Sequence, residues 1–192
     1  LMHIAFLANK LGSKGLKDRI RNTLLPKIPA GYDDRYLMFA RQDLSIYEPL
    51  QSGEQAKDFV LYDRKGKEHK FSEFRGKYTV LEFTSVTCGP CLQVMPILDG
   101  FYKRNKGKVE VVAISVDPEE IWMKENNNVS FHEWNDHKCA VDIAAQYKTK
   151  GTPAFVILDP DGKFLNLSHG AKSFFTEMMK YVPDAEIEKE LK

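Results

Sequence analysis

The sequence has few cysteines, almost no net charge and no long apolar run, and each deficit excludes a class of protein. Three cysteines in 192 residues are too few for a disulfide-stabilised scaffold, and their odd number leaves at least one thiol unpaired. A formal charge of +1 creates no overall field that favours nucleic acid or an anionic membrane. No apolar stretch approaches the roughly 18 residues that suggest a membrane span. The chain has no recognisable signal peptide, but it begins at Leu1 rather than Met, as a product trimmed of an export signal would.

The first 50 residues differ in pattern from the rest of the chain. Leu16, Ile20 and Leu24 recur every four residues, which predicts one apolar face of a helix. A second helix is predicted to begin near Asp33, because acidic residues suit a helix N-terminus. We therefore expect residues 1–50 to form a helical N-terminal appendage.

Residues 51–192 are predicted to form one α/β domain. Segments rich in strand-forming residues, such as "YTVLEFTS", "KVEVVAISVD" and "TPAFVILD", alternate with segments of helical spacing, such as "CLQVMPILDGFYKR" and "KSFFTEMMKYV". Strands that are apolar throughout are typical of a sheet covered on both faces. The order predicts a central mixed β-sheet flanked by helices.

Two of the three cysteines, Cys88 and Cys91, lie in "VTCGPC" between a predicted strand and a predicted helix. A disulfide between them would close a very small loop and would stabilise the fold little, which disfavours a structural bridge. The unpaired N–H groups and the dipole of a helix N-terminus favour a thiolate at Cys88, so this residue is the predicted nucleophile. Cys91 lies one turn further in and can attack a mixed disulfide on Cys88. The pair therefore predicts redox chemistry.

A zinc site is the main alternative for the cysteine pair. It would need two more ligands, for which His137 and Cys139 are the first candidates and His132 the next. Their spacing matches no standard zinc-binding motif. We therefore expect neither a metal nor any other cofactor.

The CGPC motif after a β-run, together with the later "GTPAFVILDPDGK", resembles the thioredoxin superfamily. The preceding "FSEFRGKYTVLEF" is similar to the corresponding segment of extracytoplasmic thiol–disulfide oxidoreductases of the TlpA/ResA type. The resemblance covers roughly residues 54–182. It implies a thioredoxin-like sandwich and a location in the periplasm or another extracytoplasmic compartment, with the cytoplasm as the alternative.

The resemblance also implies roles for individual residues. Glu82 falls where thioredoxins place a buried acid beneath the active site, and such a carboxyl can exchange a proton with Cys91. Thr152 and Pro153 match the turn with a cis peptide bond whose backbone pairs with bound substrate. The residues expected to contact substrate are Gly89, Pro90, Thr152 and Pro153.

The sequence departs from its relatives around the cysteines. Thr87 stands where thioredoxins usually have Trp, Thr84 replaces another common aromatic residue, and Val94 stands where ResA-like proteins have Glu. Substrate preference therefore cannot be inherited from the resemblance.

The function that these features predict is a thiol–disulfide oxidoreductase that reduces protein disulfides through a mixed-disulfide intermediate. Its expected partners are disulfide-bearing proteins and an upstream thiol donor. We expect no nucleic acid partner, and membrane association only through an N-terminal anchor missing from this sequence. One alternative is a thioredoxin-like module that docks client proteins. Another is a thiol peroxidase, which usually needs the pattern P-x-x-x-[ST]-x-x-C; here Ser85 fits, but Leu81 replaces the proline.

Overall fold

The structure is a computed structural model that describes residues 2–27, 44, 49–125, 127–136 and 143–191. Its strands are β1 (Val60–Asp63), β2 (Glu68–Lys70), β3 (Tyr78–Thr84), β4 (Val109–Ser115), β5 (His132–Asn135), β6 (Ala154–Leu158) and β7 (Phe164–His169). Its α-helices are α1 (Met2–Lys10), α2 (Lys14–Thr23), α3 (Gly89–Asn105), α4 (Glu119–Trp122), α5 (Ile143–Gln146), α6 (Ala171–Met178) and α7 (Ala185–Leu191), with short 3₁₀ turns at Leu25–Lys27 and Phe71–Phe74.

The strands form a single mixed sheet in the order β2-β1-β5-β4-β3-β6-β7. The three inner strands β3, β4 and β5 run parallel, whereas β6, β7, β1 and β2 join through antiparallel pairings. β3 lies between β4 and β6, and nearly all of its residues are buried, as expected for an apolar strand covered on both faces. The predicted α/β fold with a central mixed sheet is confirmed.

Each face of the sheet carries its own apolar cluster. On one face, α3 and α6 cover the inner strands, and Leu98, Phe101 and Phe174 are among the fully buried side chains. On the other face, Phe83 and Trp134 pack with residues from α5 and from the segment around Phe71–Phe74. Because β3 contributes alternate residues to the two clusters, its position in the molecule is strongly fixed. Ser85, the residue that follows β3, therefore also starts from a fixed position.

The predicted N-terminal helices are present in part. Leu16 and Ile20 of the predicted apolar stripe lie on α2 and Leu24 is its C-cap, but only Ile20 is buried, in a small cluster with Ala5, Ala8 and Leu44. α1 was not predicted from the sequence. The helix predicted from about Asp33 lies outside the described residues apart from Leu44. No helix in the described part of the chain is long and apolar enough to cross a membrane.

Three elements differ from the sequence-based prediction. β5 is a strand within a segment that shows no strand pattern, and the charged end of the chain after Pro183 forms α7. Leu92 fits the helical spacing of inward residues but is 48% exposed on α3. The buried face of α3 runs through Cys91, Val94, Met95 and Leu98, and Leu92 lies beside that face.

Candidate active site

Cys88 and Cys91 form a disulfide at the start of α3, with their Cα atoms 5.2 Å apart. Cys88 is the N-cap of the helix, and the Cys91 N–H donates a hydrogen bond to its Sγ at 3.3 Å. Pro90 fits the first turn because N–H groups there have no acceptor within the helix. Cys88 is half-buried, whereas Cys91 is fully buried. The sulfur that accepts the helix N–H is thus the one that a partner can reach.

The turn at Thr152 and Pro153 lies against the disulfide. The peptide bond between these residues is cis, as the sequence resemblance implied. The Sγ of Cys88 lies 3.7 Å from the Thr152 carbonyl oxygen. Gly89 and Pro90 are exposed beside this turn. The structure therefore brings together the four residues predicted to contact substrate, next to the accessible sulfur.

Glu82 lies in the centre of β3, and its side chain is fully buried. It stands opposite Phe155 of β6 and Ala113 of β4, which both belong to the cluster under α3, so its carboxyl lies on the face that α3 covers. Within the described residues, neither carboxyl oxygen has a hydrogen-bond partner. Burial, opposed by the Thr84 hydroxyl and assisted by the Glu133 carboxylate, raises the pKa of Glu82 to about 8. This carboxyl can change its protonation state near neutral pH.

Asp117 fixes the loop that carries Cys88, and sequence reasoning missed it. Its carboxylate accepts hydrogen bonds from the Ser85 hydroxyl at 2.8 Å, the Val86 N–H at 2.7 Å and the Ser115 hydroxyl at 3.0 Å. The Cys88 N–H in turn donates to the Ser85 carbonyl at 3.1 Å. Asp117 follows β4 and Ser85 follows β3, and the carboxyl ends of neighbouring parallel strands lie side by side. The sequence signal for this contact was that Ser85 and Asp117 come just after two strands that lie side by side in the sheet.

Thr87 also belongs to this hydrogen-bonded loop. Its N–H donates to the Ser85 Oγ at 3.3 Å, and the two hydroxyl oxygens are 3.1 Å apart. Because the Ser85 hydroxyl donates its proton to Asp117, Thr87 must be the donor of this second bond. At the position where thioredoxins usually have Trp, this chain therefore has Thr87, whose side chain is hydrogen-bonded to Ser85 of the same loop.

The described residues contain no group of three His, Cys, Asp or Glu side chains that could hold a metal ion. His132 lies at the edge of the aromatic group formed by Phe74 and Trp134. His137 and Cys139 lie outside the described residues. His69 stacks on Trp134 and pairs with Asp63.

Comparisons with known proteins identify the family of this chain. Residues 52–165 match the AhpC/TSA family. The chain is 33% identical over 123 residues to the thiol-disulfide oxidoreductase ResA of Bacillus cereus, an alignment that covers 60% of this chain and 68% of that protein. It is 31% identical over 128 residues to ResA of Bacillus subtilis, covering 64% of this chain and 70% of the relative.

Solved structures with the same arrangement are also thiol–disulfide proteins. The thioredoxin domain of a thiol-disulfide oxidoreductase from Bacteroides vulgatus superposes with a TM-score of 0.61 at 25% identity, covering 69% of this chain and 99% of that domain. A thiol:disulfide interchange protein from Bacteroides sp. gives a TM-score of 0.61 at 25% identity, covering 71% of this chain and 93% of the other. The chain has a CGPC disulfide at the start of α3, and its relatives are thiol–disulfide oxidoreductases. It therefore belongs to the AhpC/TSA family of thioredoxin-like proteins and is a thiol–disulfide oxidoreductase.

Proposed function

We propose that this protein reduces disulfide bonds in other proteins through the dithiol of Cys88 and Cys91. The observation that carries the proposal is the unequal placement of the two sulfurs. Cys88 is accessible and accepts a helix N-terminal N–H, which favours its thiolate, whereas Cys91 is fully buried. Such a pair offers one nucleophile to a large substrate and keeps the second sulfur for an intramolecular step.

The reaction consists of two thiol–disulfide exchanges. The Cys88 thiolate attacks one sulfur of the client disulfide, forming a mixed disulfide and releasing one client thiolate. Cys91 then gives its proton to the Glu82 carboxylate and attacks the Cys88 sulfur, which releases the second client thiolate. Two electrons have passed to the client, and the Cys88–Cys91 disulfide is the product. An upstream thiol donor must reduce it again.

Substrate binding is proposed at the exposed backbone around the disulfide. Gly89 and Pro90 on one side, and Thr152 and Pro153 on the other, line the approach to Cys88. An extended client segment can pair with the Thr152 turn as an added strand. The partners are therefore proteins with accessible disulfides.

The compartment and the domain division follow from the resemblance to TlpA- and ResA-type proteins. We propose an extracytoplasmic location, such as the periplasm, where protein disulfides are substrates for a reductase. We also propose that residues 1–50 are an appendage to a thioredoxin-like domain of residues 51–192. Fractionation of cells that produce the full-length protein tests the first point, and the folding of a fragment of residues 51–192 tests the second.

Reduction of insulin disulfides with dithiothreitol as the donor tests the activity. The wild-type protein should accelerate the reaction and Cys88→Ser should abolish it, whereas Cys139→Ser, which leaves the CGPC pair intact, should not. Activity that persists in Cys88→Ser would rule out the mechanism. Consumption of hydrogen peroxide faster than reduction of insulin would instead indicate a peroxidase.

Trapping identifies the clients and separates catalysis from docking. Cys91→Ser should retain partners covalently on Cys88, in complexes that dithiothreitol releases. A protein that only docks its clients would bind them equally well in the double variant Cys88→Ser/Cys91→Ser, and dithiothreitol would not release them.

A further inference from the structure

The buried carboxyl of Glu82 is one of two carboxyls in a single row across the sheet. Glu82 on β3 stands opposite Ala113 on β4, and Ala113 stands opposite Glu133 on β5. Directly opposed residues of a sheet project from the same face, and two strand spacings separate the Glu82 and Glu133 backbones by roughly 10 Å. The residue between them in this row, Ala113, has a small side chain and is buried. The Glu133 carboxylate lies close enough to Glu82 to act on the pKa of its carboxyl.

Glu133 is held in a fixed orientation. Its Oε1 accepts hydrogen bonds from Asn127 at 2.8 Å and from Arg64 at 3.2 Å, and the Arg64 Nε lies 3.4 Å from its Oε2. Arg64 is itself fixed, because it donates to the Trp122 carbonyl at 2.7 Å and stacks over the Trp122 ring. The Glu133 side chain is only 12% exposed. Its orientation is thus set by the surrounding structure.

Asn127 connects Glu133 to solvent. It lies on the wall of an open cavity of about 290 Å³ beside the first turns of α3. The cavity is lined by Leu92, Met95, Pro96, Asp99, Asn127, Asn128 and Val129. A space of this size holds several water molecules, and its polar wall offers them hydrogen-bond partners. Glu133 is thus one hydrogen bond away from a residue that meets water.

The reaction requires such a connection. When Glu82 has taken the proton of Cys91, it must lose that proton before it can act again, yet its carboxyl has no exposed surface, and the polar groups of the described residues that act on it are the Thr84 hydroxyl and the Glu133 carboxylate. We infer that Glu133 is the group through which Glu82 exchanges its proton with solvent in the cavity. This inference rests on the proposed role of Glu82 and does not extend to the thiols, which Glu133 does not touch.

The transfer conserves protons and needs no further reactant. In this proposal the protonated Glu82 carboxyl passes its proton to the Glu133 carboxylate through a bridging water molecule. Glu133, whose side chain is 12% exposed, then releases the proton to water or to a buffer base and returns to its carboxylate form, which Asn127 and Arg64 hold. No bond to sulfur forms or breaks in these steps.

Deuterium exchange of the Glu82 carboxyl tests the inference without any turnover. In the oxidised protein near pH 6, Glu82 is protonated, and its C=O stretching band shifts when the proton is replaced by deuterium. After mixing with D₂O, exchange should be slowed about tenfold or more in Glu133→Gln. Ala113→Val keeps both carboxyls but fills the space between them, and it should also slow exchange. Glu133→Asp should retain fast exchange.

Chemical rescue excludes a merely structural effect. Added imidazole, a small base that can enter the cavity, should restore exchange in Glu133→Gln, and a distorted structure would not respond to it. Glu177→Gln is the matched control, because it removes a carboxyl of α6 that pairs with Lys180. In this variant the Glu82 carboxyl should exchange its proton as fast as in the wild type. Wild-type exchange rates in Glu133→Gln, or slow exchange that imidazole does not restore, would overturn the inference.

The reaction with Ellman's reagent separates this inference from the proposed function. Attack by Cys88 releases one coloured thiolate, and attack by Cys91 releases the second. If Glu82→Gln leaves the second phase unchanged, the proposed role of Glu82 fails, whatever the other variants show. If Glu82→Gln slows it but Glu133→Gln does not slow it at low buffer concentration, only the route through Glu133 fails.

Discussion

Replacing Glu82 with Gln should make the free energy of unfolding less dependent on pH. Burial raises the pKa of this carboxyl from 4.5 to about 8 in the folded protein, and unfolding returns it to its ordinary value. Between these two values the folded state binds a proton that the unfolded state does not. The stability that Glu82 contributes is therefore fully present below about pH 4.5 and is lost as the pH rises towards 8.

The expected size of this effect follows from the change in pKa. Each pKa unit corresponds to about 1.4 kcal/mol, so the shift from 4.5 to about 8 amounts to roughly 5 kcal/mol over the whole range. Between pH 5 and pH 8 the wild-type protein should lose roughly 3 to 4 kcal/mol that the Gln variant does not lose. No discount for solvent screening applies, because the side chain is fully buried.

Denaturant unfolding of the two oxidised proteins at pH 5, 6, 7 and 8 measures this difference. Subtracting the free energies of wild type and Glu82→Gln at each pH cancels the other titrating groups that the two proteins share. Glu177→Gln, carried through the same series, is the control for replacing a carboxyl that is not fully buried with an amide. Parallel stability curves for wild type and Glu82→Gln would refute the assignment of a raised pKa to Glu82.

Two further variants test the supports of the site. Ser85→Ala leaves the Asp117 carboxylate with one donor fewer and frees the loop before Cys88. The pKa of the Cys88 thiol, measured by the pH dependence of alkylation, should therefore rise. Thr87→Val keeps the bond between Ser85 and Asp117 and should change this pKa little. Asp184→Ala removes the buried acceptor of Arg104, so the free energy of unfolding at pH 7 should fall by about 1–3 kcal/mol, and equal denaturation midpoints would contradict this.

The fold could be predicted because its inner elements have simple patterns. β3 is apolar on both faces and leads directly into the CGPC motif, and α3 starts at a recognisable cap with Pro90 in its first turn. Trp122 and Trp134 flank the irregular segment between them, and both are buried. Patterns of this kind depend on neighbours along the chain, which a single sequence displays.

The parts that escaped prediction depend on contacts between distant segments. β5 has only four residues, and its polar side chains find partners on other elements, as Glu133 does with Arg64. Asp117 acquires its role only when β4 lies beside β3 and brings it to Ser85. Leu92 stands three residues before the buried Met95, but it lies beside the buried face of α3 and is exposed. The spacing of residues along the chain does not show which distant segments come into contact.

The polar loop before the CGPC motif accounts for the unusual Thr87. An aromatic residue at that position could support the loop only by packing on its surroundings, whereas here the Asp117 carboxylate holds the loop through Ser85. Thr87 bonds to the same serine, so an exposed residue is tied back to a buried carboxylate. Because Thr87 offers less apolar surface beside Cys88 than an aromatic residue would, we expect client binding to depend mainly on backbone pairing at Thr152. In the Cys91→Ser variant, adding Thr87→Trp should then change which clients are trapped on Cys88. The effect of Thr87→Trp on the rate at which the intact dithiol reduces a small disulfide should be smaller.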